Sequence, residues 1–222
     1  MISKISDKPL LVTTTLIGNF EWFQECPSSW KEKAFRELEG TLKRTKTWAP
    51  SPEIERGIKF EKMVNEALLQ CEAPDQFKNR FPKSCMDVVK FFERCKGGLQ
   101  QVSLSKTVKI GDQVFNLFGK ADIVFPLQKI IDIKTTGKAS TKDKYASKLQ
   151  HWMYCYCGEI KNFEYIVAEF VNEQFCTNVQ VYELECDLDY ALIEIQKRLA
   201  KFIDWVQHEP DLLKAYVNIF TK

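Results

Sequence analysis

The sequence predicts an α/β fold on three observations: a helical apolar period up to Gly98, a two-fold period beyond it, and a hairpin with polar residues at its centre. The hairpin runs from Phe118 to Phe125, turns at Pro126, Leu127 and Gln128, and returns from Lys129 to Thr136. Strand side chains alternate faces, so Asp132 and Lys134 emerge together while Ile131 and Ile133 point the other way, into a core. Two carboxylates, Asp122 and Asp132, are thereby brought together from neighbouring strands beside a lysine. That combination suits a hard divalent cation and a polarised water, and so phosphodiester hydrolysis. The competing expectation is a wet sheet face on which the acids pair with Lys120 and Lys134. Ala121, Ile123, Ile131 and Ile133 flank the acids, and an unpaired charge near a core is costly without a metal or a partner.

The elements follow in order. Thr13, Thr14 and Thr15 offer N-caps for a first helix, Pro27 interrupts it, and Ser28 or Ser29 can cap a second. Gly40 and the basic stretch from Thr41 to Thr47 end that pattern, and Ala49 to Pro52 reads as a loop. From Glu53 to about Cys71, Ile54, Ile58, Met63, Val64, Ala67 and Leu68 recur at helical spacing. Gly57 inside this helix costs about 0.5–1 kcal/mol against alanine, which calls for a packing or close-approach reason there. A polar stretch around Pro74 and Pro82 precedes a helix from Met86 to Cys95, closed by Gly97 and Gly98. Val102, Leu104, Val108 and Ile110 suggest a strand, Gly111 and Asp112 a tight turn, and Val114 to Phe118 the strand that runs into the hairpin. A helix from Tyr145 to about Gly158 follows. Strands at Phe163–Phe170 and Asn178–Leu184, a helix capped by Asp187 or Asp189, and a short helix from Pro210 complete the chain.

The 222 residues, 45% hydrophobic and 28% charged, are enough to bury a core without staples. No apolar run approaches the roughly 18–20 residues of a membrane span, and Met1 to Lys8 lacks the apolar region of a secretory signal. The expected setting is therefore cytoplasmic, with no membrane partner. The eight cysteines are expected as reduced, mostly buried thiols; with no C-x-x-C pair and only His151 and His208, a structural zinc site is not expected. The net charge of +2 announces no polyanion partner. Its distribution says more: Lys134, Lys138, Lys142, Lys144 and Lys148 face a single acid, Asp143, and form either a solvated loop or a phosphate-contacting lip.

Two further groups belong with the hairpin. Gln150 and Tyr154, four apart on one helix face, can point jointly at the site while Leu149, Trp152, Met153 and Tyr156 pack. An amide and a phenol suit holding a phosphate or a metal-bound water; the alternative is a solvated Gln150 and a core Tyr154. Glu61, one turn beyond Gly57, offers a third carboxylate, a role for which Glu55 or Glu66 competes; the alternative is a routine helix-surface acid.

In this order, G-x-x-x-E (Gly57 to Glu61), G-x-x-D (Gly119 to Asp122), D-x-K (Asp132 to Lys134) and Q-x-x-x-Y (Gln150 to Tyr154) resemble the motif series of RecB-type exonucleases in the PD-(D/E)XK superfamily. Phage lambda exonuclease and the CRISPR-adaptation nucleases share this plan. Leu16 to Phe20, continuing to Cys26-Pro27-Ser28-Ser29-Trp30, is similar to the family's N-terminal helical signature, so the resemblance spans roughly Thr14 to Tyr154. Several relatives carry histidine where this chain has Glu61. Others hold an iron–sulfur centre with the Cys-Pro cysteine and a C-terminal cysteine cluster. Cys155, Cys157, Cys176 and Cys186 lack that close spacing, so no iron–sulfur cluster is expected and Cys26 is read as a packing residue.

The resemblance implies a restriction-endonuclease-like core, a mixed central β-sheet flanked by helices. Residues 1–222 would form a single nuclease domain, with 1–98 a mainly helical N-terminal part and 99–222 the sheet-containing catalytic core. Asp122, Asp132, Glu61 and the carbonyl of Ile133 would bind one or two Mg2+ or Mn2+ ions. Lys134 would orient or help deprotonate the attacking water, and Gln150, Tyr154 and Lys148 would hold the substrate. The implied reaction is DNA hydrolysis leaving a 5′-phosphate, exonuclease rather than endonuclease on the Q-x-x-x-Y element, in recombination, repair or phage DNA processing. DNA is the implied partner, and a homo-oligomer or a recombination partner protein is compatible with it. The competing implication is a noncatalytic nucleic-acid-binding or recombination-accessory protein that kept the fold.

Overall fold

The computed structural model describes residues 2, 4–45, 50–81, 84, 86–171 and 175–221. Among them, six strands form one mixed sheet: β1 (Leu10–Thr13), β2 (Leu99–Ile110), β3 (Gln113–Phe125), β4 (Lys129–Thr136), β5 (Asn162–Phe170) and β6 (Cys176–Glu185). The helices are α1 (Thr14–Glu25), α2 (Lys31–Leu42), α3 (Pro52–Leu69), α4 (Pro74–Asn79), α5 (Asp87–Cys95), α6 (Lys142–Ala146), α7 (Leu149–Gly158), α8 (Leu188–Gln207) and α9 (Pro210–Phe220). No described helix is long and apolar enough to cross a membrane.

The helices divide between the two faces of the sheet. Leu16 and Phe20 of α1, Leu38 of α2, Met153 of α7, Phe202 of α8 and Tyr216 of α9 pack with Val12, Phe115 and Leu117 of the sheet. On the other face Phe60 and Val64 of α3, Phe77 of α4 and Phe91 and Phe92 of α5 bury Ile123, Ile131, Ile133, Ile166 and Phe170. Burying large apolar side chains on both faces is the main stabilising term of such a layered fold.

What positions the site is the pairing around β3. β2 runs antiparallel along one edge of it, from Ile110↔Gln113 to Leu99↔Val124, through a two-residue turn in which Gly111 has φ 61. β1 and β4 must therefore share the other edge. β1 pairs parallel from Leu10↔Phe115 to Thr13↔Phe118, and β4 pairs antiparallel only from Ile123↔Ile131 to Phe125↔Lys129. The edge of β3 from Gly119 to Asp122 is left between them without a strand partner. Beyond Ile131, β4 turns to β5, which it follows in parallel from Lys129↔Asn162 to Thr136↔Glu169.

Several local expectations are corrected. Leu10–Thr13 is a strand, because Leu10 and Val12 alternate into the core; Thr13 then caps α1 through a bond from the Leu16 N–H to its Oγ1. Ser28 and Ser29 do not cap α2 but open a 3-10 turn, and α2 continues through Gly40, which is buried. Pro74, read as part of a polar stretch, starts α4. The helix expected from Tyr145 onwards is broken at Ser147 and Lys148 into α6 and α7. Ile54 and Ile58, expected in the buried stripe of α3, are exposed. Lys46, Thr47, Ala49 and Pro82, and Cys85 among the cysteines, lie outside the described residues. Of the seven described cysteines, all are free thiols and five are buried.

Candidate active site

The site lies in the gap beside β3. As β4 peels away past Ile131, the Ile133 N–H loses a strand partner on that side, and Asp122 Oδ2 accepts it at 2.7 Å. A strand residue's N–H and C=O point to the same edge, so the Ile133 carbonyl also opens toward the gap. The strand alternation is interrupted here. Ala121 and Val124 pack with the cluster beneath α7, whereas Ile123 packs on the α3 side. Opposite Asp122 stands Gln101, held at φ 52. Asp122 is thus aimed along the sheet toward β4.

Asp132 and Lys134 share the α7 face, as their spacing predicts. Asp132 is 1% exposed. Gln150 Nε2 donates to its Oδ1 at 2.6 Å, and Lys134 Nζ lies 2.5 Å from its Oδ2. At this distance the ammonium and the carboxylate form a charge-assisted pair. Burial pulls the Lys134 pKa down, but the Asp132 and Asp122 charges outweigh it and hold the pKa above the usual lysine value, so Lys134 is cationic. Tyr154 stands behind Gln150: its hydroxyl accepts from Gln150 Nε2 at 3.3 Å and donates to the Lys120 carbonyl, on the unpaired stretch of β3, at 3.0 Å. Burial, then the Asp132 charge, raises the Tyr154 pKa and keeps the phenol neutral.

Gly119 explains how that ring fits. A Cβ on Gly119 would lie 2.1 Å from Tyr154 Cε1, so the glycine of G-x-x-D makes room for the tyrosine of Q-x-x-x-Y. Gly57 does the same for the third motif: its Cβ would stand 3.3 Å from Thr135 Oγ1, which brings α3 down onto β4. Of the three acids weighed on α3, only Glu61 faces the aspartates. Its Oε1 accepts from Gln101 Nε2 at 2.6 Å, whereas Glu55 is exposed and Glu66 lies 3.7 Å from Lys62 and 4.0 Å from Arg80.

The charges fit a hard divalent cation. Burial first, then the charges of Asp132 and Glu61, push the Asp122 pKa up to about 8. Oxygen donors repelling one another in this way, with only Lys134 to balance Asp132, are what Mg2+ or Mn2+ relieves. Among the described residues, no three Asp, Glu, His or Cys side chains form a closed ligand set, since Glu61 is tied to Gln101.

Lys148 is exposed at the start of α7, and its pKa is lowered, by desolvation and then by the Lys134 charge. It borders a cavity of about 870 Å³ that opens from Lys134 and Gln150 toward α1 and α8. Six cationic side chains line it against three carboxylates, which makes it net positive. Sequence reasoning missed Gln101, which nothing in its surroundings marks, and the α8 contribution of Lys197, Arg198 and Lys201. A one-turn basic spacing on the last long helix was the available signal for the latter.

The fold, a mixed sheet between helical layers, is shared with a solved alkaline exonuclease. The alkaline exonuclease LHK-Exo from Laribacter hongkongensis aligns with a TM-score of 0.52 and 15% identity over 91% of this chain and 91% of that one. The LHK-Exo complex with dAMP gives 0.52 and 16% over the same shares. The crystal structure of SSO0001 aligns at 0.52 and 14%, over 91% of this chain and 78% of its own. At these identities the likeness is one of fold. No protein-family model and no curated protein matches the sequence.

Proposed function

We propose that residues 1–222 act as one nuclease domain, a Mg2+- or Mn2+-dependent DNA nuclease of the exonuclease, RecB type, serving recombination, repair or phage DNA processing. The observation that carries this is the gap beside β3, where Asp122, Asp132 and the cationic Lys134 meet. Asp122, Asp132 and the Ile133 carbonyl would hold the metal, and Glu61 would join them on leaving Gln101. When bound, the ion supplies Lewis-acid charge to the phosphate and acidifies the attacking water.

The chain's own groups do the rest. Lys134, kept protonated by the aspartates, faces the charge that develops on the phosphorane. Gln150 fixes the rotamer of Asp132 and presents its amide to the water or phosphate. Tyr154 anchors Gln150 against the Lys120 carbonyl, and Lys148 at the cavity mouth neutralises a backbone phosphate. Labelled single- and double-stranded DNA, incubated with Mg2+, Mn2+ or EDTA, tests this. We expect metal-dependent release of products with 5′-phosphates. Tight DNA binding without cleavage in either metal would instead support the noncatalytic role.

A further inference from the structure

The cavity that opens from Lys134 and Gln150 is walled on one side by a single face of α1. Thr14, Gly18 and Trp22 line it at four-residue spacing, while Leu16, Ile17 and Phe20 of the same helix are buried. α1 begins where β1 ends, at Thr13 opposite Phe118, so Thr14 borders the gap beside β3. At 1.5 Å per residue, Trp22 stands about 12 Å farther along the helix. Its indole is 44% exposed and lines the cavity rather than the core.

Gly18, between the two, adds a second observation. A glycine inside a helix costs stability against alanine, and close packing usually explains it. Here packing does not: a Cβ on Gly18 would meet nothing within 4 Å, and the residue is exposed. It leaves a bare strip of helix between the site and Trp22, open to close approach by a ligand. Charge agrees with this. Arg198 is tied to Glu21 at 2.7 Å, to Glu194 at 3.5 Å and to the Ser147 carbonyl at 2.8 Å. Lys144, Lys148 and Lys201 form no ion pair among the described residues, and of the lining acids only Glu25 is left to oppose them. A positive groove with an exposed aromatic ring suits a single strand, whose phosphates the cations track and whose bases the ring stacks. The volume of about 870 Å³ is that of a small-ligand cleft, and a duplex, whose major groove alone spans about 12 Å, is too wide to enter it.

We propose that Trp22 stacks a base of an unpaired DNA strand that lies along α1 over Gly18, its phosphates toward Lys144, Lys148 and Lys201, so that the site prefers a single-stranded end. This rests on the nuclease function proposed above. The test measures binding of the full chain, with Ca2+ in place of Mg2+, to a short fluorescein-labelled single strand and to a blunt duplex of the same sequence, at several KCl concentrations. Wild type should bind the single strand more tightly. Trp22→Leu should weaken single-strand binding roughly tenfold and leave the slope of log affinity on log salt unchanged, because stacking releases no counterions. Trp22→Phe should restore most of the affinity. Lys201→Gln should instead reduce the slope by about 0.7. Gly18→Leu should melt no lower than wild type, since its side chain enters open space and leucine favours a helix, yet bind the single strand more weakly by a similar factor. Wild-type single-strand affinity in Trp22→Leu or Gly18→Leu, or an equal loss on the duplex, overturns the proposal. A wild-type chain that binds and cleaves only the duplex overturns it too and leaves the nuclease function standing. One that neither binds nor cleaves either DNA overturns both.

Discussion

Asp122 has the most to lose when no cation is bound. Its folded pKa of about 8 lies well above the ordinary value of 3.8, so the protonated form is favoured by folding. That contribution is fully present below about pH 4 and is lost as pH rises through 8. The metal-free protein should therefore lose on the order of 2–4 kcal/mol over this window, after allowance for partial solvent screening. Asp122→Asn, which keeps an acceptor for the Ile133 N–H, should flatten the decline. Urea unfolding in EDTA across the range checks it, and an equally steep decline in the variant would place the responsible group elsewhere. At this scale the strand's two-residue alternation made the Asp132 and Lys134 pairing legible beforehand. Gln101 was not, because its left-handed backbone and its bond to Glu61 depend on a tertiary setting that no neighbouring residue announces.

Between elements, two of the motifs turn out to be one contact. Tyr154 of α7 lies on Gly119 of β3, so Gly119→Ala should cost about 1–3 kcal/mol by overpacking. In a Tyr154→Ala background the same substitution should cost far less, which a double-mutant cycle of unfolding free energies would read as coupling. Equal costs in the two backgrounds would mean that the ring does not constrain the glycine. The helices with strong apolar periods and the β2–β3–β4 meander were legible because local pattern and tertiary burial agree there. β1 was not: its four residues are too short for a two-fold period to stand out, and its threonines read equally well as the cap that Thr13 in fact provides. The break before α7 was hidden for a related reason, since no proline or glycine marks Ser147 and Lys148.

For the whole molecule, the sheet faces are well buried by two helical layers and the one unpaired stretch of β3 is filled by polar groups of the site. Under the proposed function, the charges gathered there would make folding and cation binding linked processes. Mn2+ at a hundredfold excess over its Kd should stabilise the fold by about 2.7 kcal/mol, raising Tm by roughly 5–10 °C, and Asp132→Asn should abolish most of this rise. An unchanged rise in the variant would move the ion away from Asp132. The most direct test of the proposed function is the rate of DNA cleavage in Mg2+ by wild type, Asp132→Ala and Lys134→Ala, each shown to be folded. The expected result is wild-type cleavage that EDTA stops and a fall of at least about a hundredfold in both variants. Undiminished cleavage in both would contradict it, because the activity would then come from somewhere other than this site.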